Sequence, residues 1–230
     1  ATAFITSELT EQSEQFILVN STKALSKSLI YELLPGTQGR LSSSLEKRRF
    51  PASLLERLNH DVESPLNGMI QTATNPDGII KDNSLLRMIE NSLTDGVLYR
   101  YRNPLDGRGD SEKMLKLLAS YWEAVRSVFG DAWGLPPRQS RLLHGAGVIS
   151  LGFIMDAICD GFHHKKLPQS RDFKQELSKI KEFCSWTEGS WEFAADDHRR
   201  WDQIQNTPND IHTLADFLLT KYRHVHQPAG

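Results

Sequence analysis

Several groups of residues in this chain could do chemistry. Asp196-Asp197-His198-Arg199-Arg200 places carboxylates beside an imidazole, the pairing that general acid/base catalysis uses. No Gly-x-Ser-x-Gly nucleophile accompanies it, so a surface ion-pair cluster is the expected role and an independent hydrolase is disfavoured. His163-His164 and His224-Val225-His226 are the densest histidine spots. Neither has a cysteine or carboxylate at zinc-ligand spacing, so solvated histidines near helix ends, the last in a frayed tail, are expected and no metal is called for. Gly145-Ala146-Gly147 is the nearest approach to a dinucleotide fingerprint, but it lacks the third glycine, a preceding strand and a downstream acid. It reads as a helix-packing segment.

The basic residues offer more. Between Arg40 and Arg57 stand five cations, Arg40, Lys47, Arg48, Arg49 and Arg57, against Glu46 and Glu56. Between Leu167 and Lys181 stand four against two acids, with Lys165 and Lys166 just before, and Arg100, Arg102 and Arg108 lie in the stretch between. Such runs are usually solvated faces. Converging on one side, Arg48, Arg49, Arg100, Arg102, Lys165 and Lys166 would make a phosphate footprint.

Helices must position these groups. Ser7 caps a peripheral helix through Val19, preceded by the short strand-like run Ala3-Phe4-Ile5. Leu25, Leu29, Ile30, Leu33 and Leu34 recur at helical spacing until Pro35-Gly36 stops them. After a Gly/Ser-rich loop, Ser43 with Glu46 has capping-box spacing and Pro51 suits a first turn, so two short helices or one kinked helix should span 44–60. Gly68-Met69-Ile70-Gln71 and Gly78-Ile79-Ile80-Lys81, joined by Asn75-Pro76-Asp77-Gly78, predict a small β-hairpin near 68–81. Asp82 or Asn83 then caps a helix ended by Asp95-Gly96, and 99–109 reads as an exposed loop.

The longest regular helix is expected from Ser111 to Phe129, with Met114, Leu118, Tyr121, Trp122 and Val125 on one stripe. Its expected partner, Gln139 to Asp160, is nearly uncharged from Gly145 to Ile158, so it should be buried all round, its glycines permitting close approach. Ser170 opens another helix. Thr207-Pro208-Asn209-Asp210 combines a cap, a first-turn proline and a third-position acid for the last one. Trp186, Trp191 and Trp201, in a polar segment between them, are expected to clamp the two helices.

Length and composition suit that picture. The 230 residues are 39% apolar and 24% charged with net charge −2, which excludes collagen-like, disordered and disulfide-scaffold classes. There is no run of 18 apolar residues and no basic leader before Ala3-Phe4-Ile5, so no membrane partner is expected and a cytoplasmic location is the default, consistent with only two cysteines. Near-neutral charge argues against a surface that grips nucleic acid everywhere, but not against local patches.

Glu14-Gln15-Phe16-Ile17-Leu18-Val19-Asn20-Ser21-Thr22-Lys23-Ala24-Leu25, Leu29 to Pro35, Glu63 to Ile70 and Trp201 to Ile211 together resemble the DGQHR-domain family of DNA-modification-associated proteins, which includes the DndB and DpdB types. The resemblance runs from about Phe4 to Tyr222. The family's Asp-Gly-Gln-His-Arg or Asp-Gly-x-Thr-Arg signature is missing, and Asp106-Gly107-Arg108-Gly109 is not it, because it comes late in the chain. The chain is therefore expected to be a C-terminal portion starting at the last strand of a ParB/sulfiredoxin-like sheet. Residues 1–35 would end that region and 36–230 would form a helical C-terminal domain. The expected fold class is mainly α, a multi-helix bundle-like domain with a short N-terminal strand and a small hairpin, the helical part of an α/β ParB-like protein.

The resemblance implies a DNA-binding transcriptional regulator of a phosphorothioation system. It places Asn20 and Lys23 nearest the pocket; for Asn20 a plain turn cap is the equal alternative. DNA and other DNA-modification proteins are the implied partners, with oligomerisation left open. A nucleotide-hydrolysing partner in deazaguanine modification is the alternative, with ATP a cofactor of the intact protein only and no catalysis expected from these residues. A helical interaction module, anchored on the tryptophan segment 186–201, is the third reading.

Overall fold

A computed structural model describes residues 11–13, 16, 26–37, 39, 41–103, 109–162 and 167–227. The fold is mainly helical. Residues 11–13 and 16 are helical, while the strand expected at 3–5, Asn20, Lys23, Arg40, His163, His164, Lys165 and Lys166 lie outside the described residues.

Seven α-helices can be described: α1 (Lys27–Leu33), α2 (Ser43–His60), α3 (Asp82–Asp95), α4 (Ser111–Val128), α5 (Gly145–Asp160), α6 (Ser170–Ser178) and α7 (Pro208–His224). None of them is long and apolar enough to cross a membrane. Their starts follow side-chain capping chemistry. Ser26 accepts from the Leu29 amide, Asp110 from Lys113 and Thr207 from Asp210, while Gln169 and Asp172 form a reciprocal capping box. α2 is one continuous helix with Pro51 inside it, capped at Ser42 without a side-chain bond. The Pro51 ring denies the Lys47 carbonyl its usual i+4 donor.

α5 is the centre. Twelve of its residues, including Gly145, Gly147 and Gly152, are buried, and it packs between α3 on one side and α7 on the other. The expected α4–α5 pair is therefore not the principal contact. α4 packs mainly on α6 and reaches α5 through one buried hydrogen bond, from the Tyr121 hydroxyl to the Leu151 carbonyl at 2.6 Å. α5 also starts later than expected: residues 139–144 form turns, and His144 is its N-cap. Gly152 lets α3 approach, because a Cβ there would meet the Met88 side chain.

The two short strands near 70 and 80 exist, but they are not a hairpin. β1 (Ile70–Gln71) and β2 (Ile80–Lys81) run parallel, with Ile70 opposite Ile80. The Asn75 side-chain amide donates to the Gly68 and Ile70 carbonyls at 3.0 and 2.9 Å, occupying acceptors that an antiparallel return strand would need. Gly78 then passes so close to the backbone of Ile70 and Gln71 that no Cβ would fit.

The antiparallel hairpin of this protein lies elsewhere, as β3 (Ser190–Ala194) and β4 (Asp197–Arg200), with Trp191 opposite Arg199. Trp191 is fully buried. It meets Trp186 and Phe217 edge-on at 4.9 and 5.9 Å, so the tryptophan segment does clamp onto α7. One hydrophobic core, running from Tyr31 and Leu34 to Tyr222, includes all these contacts and is continuous across residue 35.

Candidate functional site

Four of the six candidate phosphate-binding cations fall among the described residues, and each is held by the fold. Arg48, on α2, lies 5.0 Å above the Tyr31 ring, donates to the Tyr31 hydroxyl and pairs with Glu90 of α3 at 2.9 Å. Burial pushes the Glu90 carboxyl up, and Arg48 opposes that push. Arg49 is the most inward, with its side chain 15% exposed; it pairs with Glu46 at 2.9 Å and donates to the Gly39 carbonyl at 2.7 Å. Arg100 pairs with Asp160 at the end of α5. Arg102, exposed, donates to the Leu93 carbonyl near the end of α3 at 3.2 Å.

The structure therefore brings Arg48 and Arg102 against one helix, α3, at Glu90 and Leu93. It sends Arg49 toward the loop before α2 and Arg100 to α5. The charge of Arg48 is balanced by an acid 42 residues away, Glu90. About a third of the Arg48 and Arg100 side chains stays exposed, so both guanidinium groups keep an edge on the surface beside their carboxylates.

A small pocket that sequence reasoning missed sits where α1, α2 and α3 meet. Its walls include Tyr31 and Glu32 of α1, Leu55, Glu56 and Asn59 of α2, and Asp82 of α3. Two local devices build it. The Glu32 carboxylate accepts from the Thr72 hydroxyl at 3.1 Å and from the Thr74 amide at 3.2 Å, docking α1 on the loop after β1. Asn59, at the end of α2, accepts from the Ile70 amide at 3.0 Å through Oδ1 and fixes β1.

Asp82 is 8% exposed and is the first residue of α3; the cap expected at Asp82 or Asn83 falls instead on Lys81. Its Oδ1 accepts from the Asn83 amide at 2.5 Å, whereas its buried Oδ2 has no hydrogen-bond partner. The enclosed space is about 20 Å³. A water molecule needs roughly 10–15 Å³ of such space, so the pocket admits one water-sized group and is far too small for a nucleotide.

The remaining sequence candidates are structural. Arg199 pairs with Asp197 at 2.8 Å and Asp210 at 3.1 Å, and Arg200 with Asp202 at 2.5 Å, so the Asp196–Arg200 cluster is the expected set of surface ion pairs. His226 is not in a frayed tail. It sits 2.6 Å from Glu176 and 4.4 Å from the Tyr222 ring, tying the end of α7 to α6. For Glu176, burial pushes the carboxyl up, but hydrogen bonds from Lys179 and His226 outweigh it and the net direction is down. Gly147 starts a buried helix turn, with no room for a Cβ beside the Arg141 and Leu142 carbonyls. The tryptophan anchor loses its motive: Trp186 and Trp191 are buried and Trp201 lies beneath Arg141 at 5.7 Å. Among the described residues no three histidine, cysteine, aspartate or glutamate side chains converge as a metal-ligand set.

Arg141 and His144, also missed in sequence, form a polar corner ahead of α5. The Arg141 guanidinium donates to the Ile204 and Asp202 carbonyls at 2.9 and 2.6 Å and to the Pro137 carbonyl. Burial, then the neighbouring Arg141 charge, pushes His144 down to about 4. At the other end of α5, Asp156 accepts from Ser92 at 2.6 Å and from the Val97 amide at 2.9 Å, yet burial pushes it up to about 6. Comparisons with protein-family models, with curated proteins and with solved structures return no match to this chain.

Proposed function

We propose that this chain is the helical part of a DGQHR-type, DNA-modification-associated protein, and that it acts in the cytoplasm as a DNA-binding regulator of the DndB kind. The observation that supports the reading best is that Arg48, from α2, and Arg102, after the turn that follows α3, meet α3 at Glu90 and Leu93, with Arg100 on that same turn. The planar guanidinium fork that meets a carboxylate also suits a phosphate. The more exposed Arg100–Asp160 pair contributes little to stability, so exchange of partner there carries a small penalty. In this reading the arginines position DNA through its backbone and read no base.

The test is an electrophoretic shift of the full chain on duplex DNA at two salt concentrations. Binding should weaken steeply as salt rises. The double variant Arg100→Ala, Arg102→Ala should flatten the log–log salt slope by about 2, close to one per lost phosphate contact. No shift at low salt overturns the proposal, as does an unchanged slope in the double variant. The nucleotide-hydrolysing alternative draws nothing from the α1–α3 pocket, whose carboxylates would repel a triphosphate.

A further inference from the structure

We infer that the turn after α3 is a stacking platform for an unpaired DNA base, with the Tyr99 ring as its surface. The inference rests on the DNA reading above and specifies the form of DNA that the arginines meet. Tyr99 is 58% exposed, more than any other phenylalanine, tyrosine or tryptophan among the described residues. The backbone that carries it is fixed. Val97 and Leu98 are buried beneath it, the Val97 amide donates to Asp156 at 2.9 Å and the Leu98 amide to the Ser92 hydroxyl at 3.3 Å. The Tyr99 amide donates to the Gly96 carbonyl and the Arg102 amide to the Tyr99 carbonyl, both at 3.1 Å, so Val97–Tyr101 is a tight 3-10 turn.

The neighbours of Tyr99 select its partner. Residues three apart eclipse in a 3-10 turn, which brings Arg102 beside Tyr99. A backbone bridge to Gly109 holds Arg102 in place. Arg100, the next residue, is fastened to the end of α5 by Asp160. Tyr99, Arg100 and Arg102 are all exposed, so an aromatic ring stands in water between two guanidinium groups. Guanidinium groups suit phosphates, and an aromatic ring suits the flat face of a base. Every base has such a face, so the contact reads no sequence. In a duplex those faces are covered by the adjacent base pairs. Only an unpaired base, in a single strand or a locally opened duplex, can lie on the ring while its backbone reaches the arginines.

The test compares the affinity of the full chain for two labelled duplexes of equal length and equal phosphate number, one fully paired and one with a short central bubble of mismatches. The bubble should bind about tenfold more tightly. Tyr99→Ala, at an exposed position that does not threaten the fold, should cancel that preference by weakening the bubble complex about tenfold while leaving the paired duplex unchanged. Tyr99→Phe, which keeps the ring, should retain the preference. The double variant Arg100→Ala, Arg102→Ala should weaken both complexes alike, because the two duplexes carry the same phosphates. Equal affinity of the parent for both duplexes, a preference that survives Tyr99→Ala, or a loss in Tyr99→Phe as large as in Tyr99→Ala overturns the inference and leaves the DNA reading standing. Absence of binding to either duplex at low salt overturns the DNA reading, and the platform with it.

Discussion

The two ends of α5 hold opposite charges in the same predicament. At the N-terminal end His144 is the cap, and at the C-terminal end Asp156 faces the turn after α3. A helix favours acids at its start and bases at its finish. α5 has the reverse, an imidazole at the positive end and a carboxylate near the negative one. Both are pushed toward their neutral forms, His144 down to about 4 and Asp156 up to about 6, in each case first by burial. The secondary causes differ. Arg141 repels a protonated His144, whereas Asp156 feels Asp160 four residues on and is partly relieved by Ser92, Val97 and Arg100. Burial around an apolar central helix thus disfavours the charged form at both of its ends.

Glycine substitutions break the comparison with the largest effect. By helix propensity alone, Gly147→Ala would stabilise α5 by about 1 kcal/mol. Its Cβ would collide with the backbone carbonyls of Arg141 and Leu142, which the Arg141 corner cannot move without losing its own bonds. Overpacking against backbone should reverse the sign, to a net loss of about 2–3 kcal/mol in urea unfolding. At the other end, the atoms nearest a Cβ at Gly96 belong to the Asp156 carboxylate, a side chain and not backbone, although yielding would strain its bonds from Ser92 and Val97. Gly96→Ala should therefore cost less, about 1–2 kcal/mol. If the two variants lose the same amount, the distinction between a rigid and a yielding end fails.

That asymmetry shows what the sequence could reveal. Capped starts were legible: Thr207-Pro208-Asn209-Asp210 names the start of α7, and Asp95-Gly96 the end of α3. The buried character of α5 was legible from its uncharged run. Its true start was not, because Leu142 and Leu143 carry apolar residues back into the bend before it, and the N-cap His144 contributes no capping bond to mark it. The parallel β1–β2 bridge escaped because the side-chain bonds of Asn75 redirect the chain, and those depend on tertiary placement. The β3–β4 hairpin did leave a signal, the alternation of Trp191 and Phe193 with polar neighbours, which the aromatic clamp reading absorbed. The arginine set and the pocket share one cause of illegibility. Arg48 meets Glu90 across 42 residues, and Glu32 stands beside Asp82 only when α1 docks, so local charge counts see neither.

Asp156→Asn gives the next largest effect, and it is read in pH. The folded protein keeps the Asp156 proton up to about pH 6, whereas an unfolded chain releases it near 3.8. Asp156 therefore contributes most stability below pH 4, loses it as pH rises toward 6 and adds nothing further above. At about 1.4 kcal/mol per unit, the decline is on the order of 2–3 kcal/mol. Asp156→Asn should abolish that decline and be about 2 kcal/mol more stable than the parent at pH 7, measured by urea unfolding at pH 4, 5, 6 and 7. A decline that survives the substitution would remove Asp156 as its source.

His144→Gln carries the smallest effect and the opposite sign. With the folded value near 4 and the ordinary value 6.5, the folded protein stays unprotonated where the unfolded chain takes up a proton. The His144 contribution is complete above pH 6.5 and is lost as pH falls toward 4. Because the ring is only partly withdrawn from water, solvent screening reduces its size to about 1 kcal/mol. In the parent protein this slope runs against the Asp156 slope over the same interval and is partly hidden by it. The Asp156→Asn variant should expose it, as stability that rises with pH between 4 and 6.5, and adding His144→Gln should leave a flatter curve. A curve for Asp156→Asn that is already flat would mean that the two ends of α5 are not the opposed pair, and that only the carboxylate is held away from its charge.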